Sequence, residues 1–297
     1  MLELYRRIWK VTGREQILLI GLSLAVAALA AVPLQYQKDI INGLGADMNK
    51  HKLITLCAAY LGVLLLNSGL KFVMNYRSSI LSESVIRRIR KLVYNERHDY
   101  IASGTDERGK LVTIIAAEAE DVGKFAGESI SSPVLHLGTL VSVTGYIAWT
   151  QPFLGLFLLG VIFPQAVIVL TLQKFVNERV GKRVKTLRHA TSEITNNDIE
   201  QMQQAILDDF DDIYETRRGI YSLKCSMKLA LNGINGLGTV GILLLGGFLM
   251  MAGKSDIGSI VASLSALGRI NDPWRELIVF YRQLSAVRVR FDLLMAK

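Results

Sequence analysis

Charge is missing from four long stretches of this chain. There are 22 consecutive uncharged residues between Glu15 and Lys38, 18 between Lys52 and Lys71, 45 between Glu128 and Lys174, and 25 between Lys228 and Lys254. About 20 apolar residues in a helix suffice to cross the hydrocarbon core of a bilayer. The pattern therefore predicts spans at 16–36, 53–70, 129–150, 153–173 and 229–253. The longest stretch supplies two of these, with a reversal at Thr150-Gln151-Pro152, the turn signal nearest its middle. A sixth span, 257–280, carries a polar face: a run of apolar and small residues from Ile257 to Gly268 is interrupted by Arg269, Asn271, Asp272, Arg275 and Glu276, and then Leu277, Ile278, Val279 and Phe280 resume it.

The polar segments between spans come in two sizes. Residues 38–52, 150–152 and 254–256 are short, whereas 71–128 and 174–228 are long, and each long segment holds 10 Lys+Arg against 9 Asp+Glu. Six spans place both long segments and both termini on one side, which then carries 28 of the 34 basic residues against 4 on the other. Basic loops stay cytoplasmic, so both termini are expected inside, in an inner or plasma membrane. No Gly or Pro occurs from Lys71 to Ser103 or from Lys182 to Arg218, and Leu81, Val85, Ile89 and Leu92 recur at helical spacing. The long segments are thus expected as helical hairpins, 71–128 and 174–228, reaching ~40 Å beyond a ~30 Å hydrocarbon core. The fold class expected is an all-α membrane protein with six transmembrane helices and two long cytoplasmic hairpins.

Before the first span, Leu2, Tyr5, Ile8 and Trp9 recur at helical spacing among Arg6, Arg7, Lys10 and Arg14. An Ala28-Leu29-Ala30 triplet resembles a signal cleavage site, but the uncharged run continues through Gln37. Residues 1–14 are expected as an amphipathic interfacial helix leading into a membrane domain over 15–297.

The remaining composition narrows the chemistry. The chain of 297 residues is 51% hydrophobic and 20% charged, below the ~25% charge of a soluble domain. Its net charge of +8 fits the loop asymmetry above, so nucleic acid is not an expected partner. Cys57 and Cys225 stand alone, and His51, His98, His136 and His189 have no metal-ligand spacing. No Ser/His/Asp or Cys/His arrangement suggests a nucleophilic enzyme.

With six spans and two matched hairpins, the chain resembles the transmembrane domain of a type I ABC exporter. Local motifs carry the resemblance in three places. Ser103-Gly104-Thr105-Asp106-Glu107-Arg108-Gly109-Lys110-Leu111, followed by Glu120-Asp121-Val122, is similar to the first intracellular loop, with Lys110 replacing the usual acid. Ser192-Glu193-Ile194 through Ile199-Glu200 is similar to the second coupling region. Asp256-Ile257-Gly258-Ser259-Ile260-Val261-Ala262 resembles the start of span six, with Pro273 inside it and Arg290-Phe291-Asp292-Leu293-Leu294 at its exit.

The resemblance implies an N-terminal elbow helix and coupling to a nucleotide-binding domain through Thr105, Asp106, Glu107, Arg108, Asn196, Asn197, Asp198 and Glu200. It also implies a second transmembrane half, identical or different, as partner in the lipid membrane. The nearest phosphate-loop match, Gly247 to Ser255, has five residues between its glycines instead of four and ends a span. ATP and Mg are therefore expected in a partner nucleotide-binding domain, with no cofactor in this chain and no enzyme activity of its own. The competing readings are a membrane scaffold or receptor that docks a cytoplasmic partner through its hairpins, and, last, an intramembrane enzyme.

Single residues sharpen the picture. Arg269 lies 13 residues beyond Asp256, ~20 Å deep, where a charge costs about 2.5–3.5 kcal/mol. Either it lines a translocation path with Asn271 and Asp272, or it pairs with Asp272 at i+3. Seven glycines in span five suggest close helix packing or flexibility, without a GxxxG pair. Asp208, Asp209, Asp211 and Asp212 read as a solvated face or as partners of a neighbouring basic helix.

Overall fold

The computed structural model describes residues 2–46, 48–97, 119–196 and 199–295. Among the described residues there are eight helices and no strand: α1 (Leu2–Leu29), α2 (Val32–Leu44), α3 (Lys50–Arg97), α4 (Ala119–Glu128), α5 (Ser131–Thr150), α6 (Pro152–Asn196), α7 (Ile199–Met251) and α8 (Ile257–Met295). Five helical segments are long and apolar enough to cross a membrane, beginning at Ile8, Lys50, Ala119, Pro152 and Leu207. The sixth expected span forms as helix α8 but is not among those five. Its charged interruptions lower the mean hydropathy without breaking the helix.

The first span departs from the expected single helix over 16–36. Helix α1 runs without a break through residue 14, so the expected elbow and the N-terminal part of the span are one helix. The chain then breaks at Ala30-Ala31 and restarts as α2. Pro33 is the cause: it has no N–H to give to Leu29, and its ring crowds that carbonyl. The Leu34 N–H turns instead to the Ala31 carbonyl, 2.9 Å away. The reversal between α5 and α6 is a single extended residue, Gln151 (φ −144°, ψ 87°), as expected before Pro152.

The chain divides into two compact units, one made of Met1–Gly155 with Gly246–Lys297 and the other of Leu156–Leu245. In the first, α1 packs on α3 and α5, α2 on α3 and α8, α3 on α4, and α5 on α8. Leu19 and Val26 of α1 meet Met74 and Leu81 of α3 and Leu135 of α5 in one apolar cluster. Ile8, Val122, Phe125, Ala126 and Val287 form another, edged by Tyr5 and Phe280, whose rings contact Phe125 at centroid distances of 6.3 and 5.7 Å.

Helices α3 and α4 approach closely because α4 presents glycines to α3. Gly123 and Gly127 form a GxxxG pair, with Gly123 against Ile86 and Gly127 against Ser78 and Ser82, a spacing that lets backbones touch. Ser78 Oγ donates to the Gly127 carbonyl at 3.1 Å, and Ser82 Oγ to that of Lys124 at 3.3 Å. A Cβ at Gly127 would overlap Ser82 Oγ and the Ser78 carbonyl, so the position admits only glycine.

The second unit is an antiparallel pair of α6 and α7. Partners recede along α7 as α6 advances: Phe157 lies on Gly241, Gln165 Nε2 donates to Asn235 Oδ1 at 2.8 Å, Arg179 lies on Gly219, and Lys182 faces Asp212 at 3.6 Å. That register runs for ~38 Å of helix. Helix α7 ends with the left-handed Gly253 (φ 68°). Its Lys254 N–H bonds Leu249 and its Gly253 N–H bonds Met250, the pair of bonds that closes a helix C-terminus.

Candidate functional site

Charge inside a span needs a partner or water, and the first unit collects several such charges. Arg269 does not pair with Asp272. Its Nη1 donates to the Ala30 carbonyl at 3.5 Å, at the break between α1 and α2. That carbonyl is free because its usual donor, the Leu34 N–H, has turned to Ala31. Pro33 on one helix thus creates the acceptor that Arg269 on another satisfies.

Asp272 instead meets Arg275 at 3.4 Å, and Arg275 also reaches Glu276 at 3.6 Å. His136 of α5 lies within electrostatic reach of Glu276, Lys71 and Asp272. Helices α3, α5 and α8 therefore bring Lys71, His136, Asp272, Arg275 and Glu276 to one level. Lys71 and Asp272 are exposed, while His136 and Glu276 are half-buried. Asn271 is half-buried beside this group. The arrangement offers both signs of charge to a polar or amphipathic solute. Among the described residues, no three or more His, Cys, Asp or Glu side chains converge in a way that could hold a metal ion.

A second polar cluster ties α2 to the start of α8. Asp256 caps α8: its Oδ1 accepts from the Ser259 N–H at 2.7 Å and its Oδ2 from Ser259 Oγ at 3.0 Å. Asn42 of α2 donates to Asp256 Oδ1 at 2.8 Å and accepts from the Gly258 N–H at 2.8 Å, while Lys38 stands 3.6 Å from Asp256. Gln151, at the α5–α6 turn, donates to Ser259 Oγ at 3.4 Å. A Cβ on Gly258 would overlap the Lys38 carbonyl and the Asn42 amide. Burial pushes the Asp256 carboxyl upward, but the bonds from Asn42 and Ser259 and the Lys38 charge outweigh it and hold the pKa below the usual aspartate range.

Of the expected coupling residues, Thr105, Asp106, Glu107, Arg108, Asn197 and Asp198 lie outside the described residues. Asn196 is the last residue of α6, and Glu200 lies in the first turn of α7. In the acidic cluster on α7, Asp212 takes the ion-pair alternative, with Lys182. Of the span-five glycines, Gly241 and Gly246 touch Phe157 and Ile260, while Gly233, Gly236 and Gly247 meet nothing within 4 Å. Sequence reasoning missed Lys71, His136 and Asn42. His136 sits inside a run read as uncharged, and only the helix packing shows what faces it.

The ABC transporter transmembrane region family matches residues 17–273 of the chain. No curated protein matches it. That match takes in every expected span except the last few residues of the sixth, and with the helical fold and its membrane-length apolar segments it assigns the chain to the family: this protein belongs to the ABC transporter transmembrane region family and is a membrane-spanning, multi-pass part of an ABC transporter.

Proposed function

We propose that this chain forms one half of the substrate path of an ATP-driven exporter. ATP binding and hydrolysis, with Mg, occur in nucleotide-binding domains outside the described helices, and a second transmembrane half completes the path. The observation that carries the reading is helix length. Helices α3, α6 and α7 have 48, 45 and 53 residues. At 1.5 Å per residue they are ~68–80 Å long, more than twice the ~30 Å hydrocarbon core. Their far ends project where a soluble ATPase can reach them. The levers switch the path between inward-facing and outward-facing states, because ATP interacts differently with the two. Arg269, Asn271 and Asp272 line the path, joined by Lys71, His136 and Glu276. Both termini and both hairpins face the cytoplasm, where basic loops are retained.

Coupling enters through Thr105–Arg108 and Asn196–Glu200, whose mixed charge suits a polar, reversible interface. Replacing Asp106, Glu107 and Arg108 together with Ala should leave ATP binding by the partner intact and abolish transport and substrate-stimulated hydrolysis. Asp208→Ala, away from the tips, serves as the control. Undiminished transport by the assembled triple variant would show that force enters elsewhere. Orientation has its own test: a cysteine at Gly45 should label from outside, and one at Asn197 only after permeabilisation. The reverse pattern would overturn the topology.

A further inference from the structure

A cleft of about 680 Å³ opens between the N-terminal part of α1 and the C-terminal half of α3. Residues 9–15 of α1 line one wall, and Leu81, Ser84, Val85, Arg87, Arg88 and Lys91 of α3 line the other. Helical spacing gathers the charge. Lys10 and Arg14 are four apart on α1, as are Arg87 and Lys91, and Ser84 and Arg88, on α3. Five cations therefore line the cleft, with Glu15 as the sole acid among its lining residues. All five are exposed, and among the described residues none of them forms an ion pair. Five like charges gathered with a single acid repel one another, and an anion in the cleft would relieve the repulsion.

Span two was expected to end at Leu70, but Leu81 of the cleft packs with Leu19 of α1, three residues into the uncharged run. The cleft therefore lies level with the start of span one, and that level indicates which anion. Arg14 and Glu15 immediately precede the uncharged run that begins at Gln16. Trp9, 45% exposed, lines the cleft one to two turns earlier, where indole rings favour the membrane–water interface. The segment 9–15 covers ~9 Å of helix axis, on the scale of a headgroup layer of ~5–8 Å. Basic pockets between helices at this depth suit phosphate-bearing lipid headgroups.

We propose that this cleft binds the phosphate headgroup of an anionic phospholipid, which offsets part of the repulsion among the five cations and fastens the N-terminal part of α1 against α3. Its assignment to the cytoplasmic leaflet rests on the proposed orientation; the binding itself does not, nor does it depend on transport.

The test uses the full chain in detergent micelles doped with phosphatidylglycerol or phosphatidylcholine, with retained lipid counted by native mass spectrometry. Phosphatidylglycerol should be retained selectively. Arg87→Gln, Arg88→Gln and Lys91→Gln together should weaken that retention on the order of a hundredfold. Arg217→Gln with Arg218→Gln, on α7, should leave it unchanged. Soluble glycerol phosphate separates the two sources of the anion: displacement of the lipid at equal concentration would overturn the lipid assignment in favour of a free phosphate ester.

A second measurement keeps all five cations. In a Trp149→Phe, Trp274→Phe background, brominated phosphatidylglycerol should quench Trp9 more strongly than brominated phosphatidylcholine. Equal quenching, or equal retention of the two lipids by the unaltered chain, would overturn the proposal.

Discussion

The first unit and the α6–α7 pair are built from the same material, long apolar helices, yet they hold together differently. In the first, backbones touch: Gly123 lies on the Ile86 backbone, Gly127 on Ser78 and Ser82, and Gly258 on the Lys38 carbonyl. Buried polar groups are tied across helices, as where Gln16 Nε2 donates to the Ala126 carbonyl at 2.8 Å and Ser23 Oγ to that of Ser131 at 3.1 Å. In the α6–α7 pair, contact runs through side-chain tips spaced along the helices, and Leu156, Phe163, Leu170, Leu229 and Leu237 remain exposed. In a membrane, apolar area alone does not drive helices together, because lipid is equally apolar. Close packing and hydrogen bonds must do so, and they are concentrated in the first unit. The exposed leucines and phenylalanines of α6 and α7 suit contact with lipid or with a second transmembrane half.

The largest test of that contrast is to spoil a backbone contact. Gly127→Leu should destabilise the protein by about 3 kcal/mol, since overpacking costs about 1–3 kcal/mol and here the obstacle includes the Ser78 carbonyl. Thermal unfolding in detergent reads it, and Gly236→Leu on α7, which meets open space, should change little. A melting temperature unmoved by the first change would remove close packing as the basis of the α3–α4 contact.

Next in size is the clasp between α2 and α8. Asp256→Ala removes the α8 cap and should cost about 1 kcal/mol. The carboxyl is held below its ordinary pKa of ~3.9, so its contribution is complete above that pH and disappears as pH falls through the lower folded value. Between pH 5 and 8 the clasp should therefore be insensitive to pH. A stability difference between wild type and Asp256→Ala that shrinks across that range would contradict the depressed pKa.

The smallest effect belongs to the α6–α7 pair. A double-mutant cycle on Gln165 and Asn235 should give a coupling of about 0.6 kcal/mol, the average for hydrogen bonds between membrane helices. A coupling several times larger would mean that this unit, too, depends on specific polar contacts.

Much of the architecture was legible because bilayer thickness imposes a length on every apolar run. The uncharged stretches located the five membrane-length helices, and Pro152 marked the α5–α6 reversal within one residue. The sixth helix formed as expected from Ile257, although its charges keep it out of the membrane-length apolar set. Legibility failed where a local signal had two outcomes. Pro33 was visible, but whether it would bend or break the helix depended on a donor for the freed Ala30 carbonyl. That donor, Arg269, lies 239 residues away. The GxxxG at Gly123 and Gly127 is also present in the sequence, just before span three.

The sequence by itself determined helix class, the positions of the apolar runs long enough to cross a membrane and the gathering of basic residues in the long segments, since each follows from local composition acting against water and lipid. Only the tertiary structure decided which charges face one another. Arg269 and Asp272 sit one turn apart on α8 and could have paired, yet they take separate partners, Ala30 and Arg275. Lys71, His136 and Glu276 become neighbours because α3, α5 and α8 are brought together by packing. Pairings of this kind depend on helix rotation and depth, set by which small residues let backbones approach, and no periodicity within a single helix encodes them.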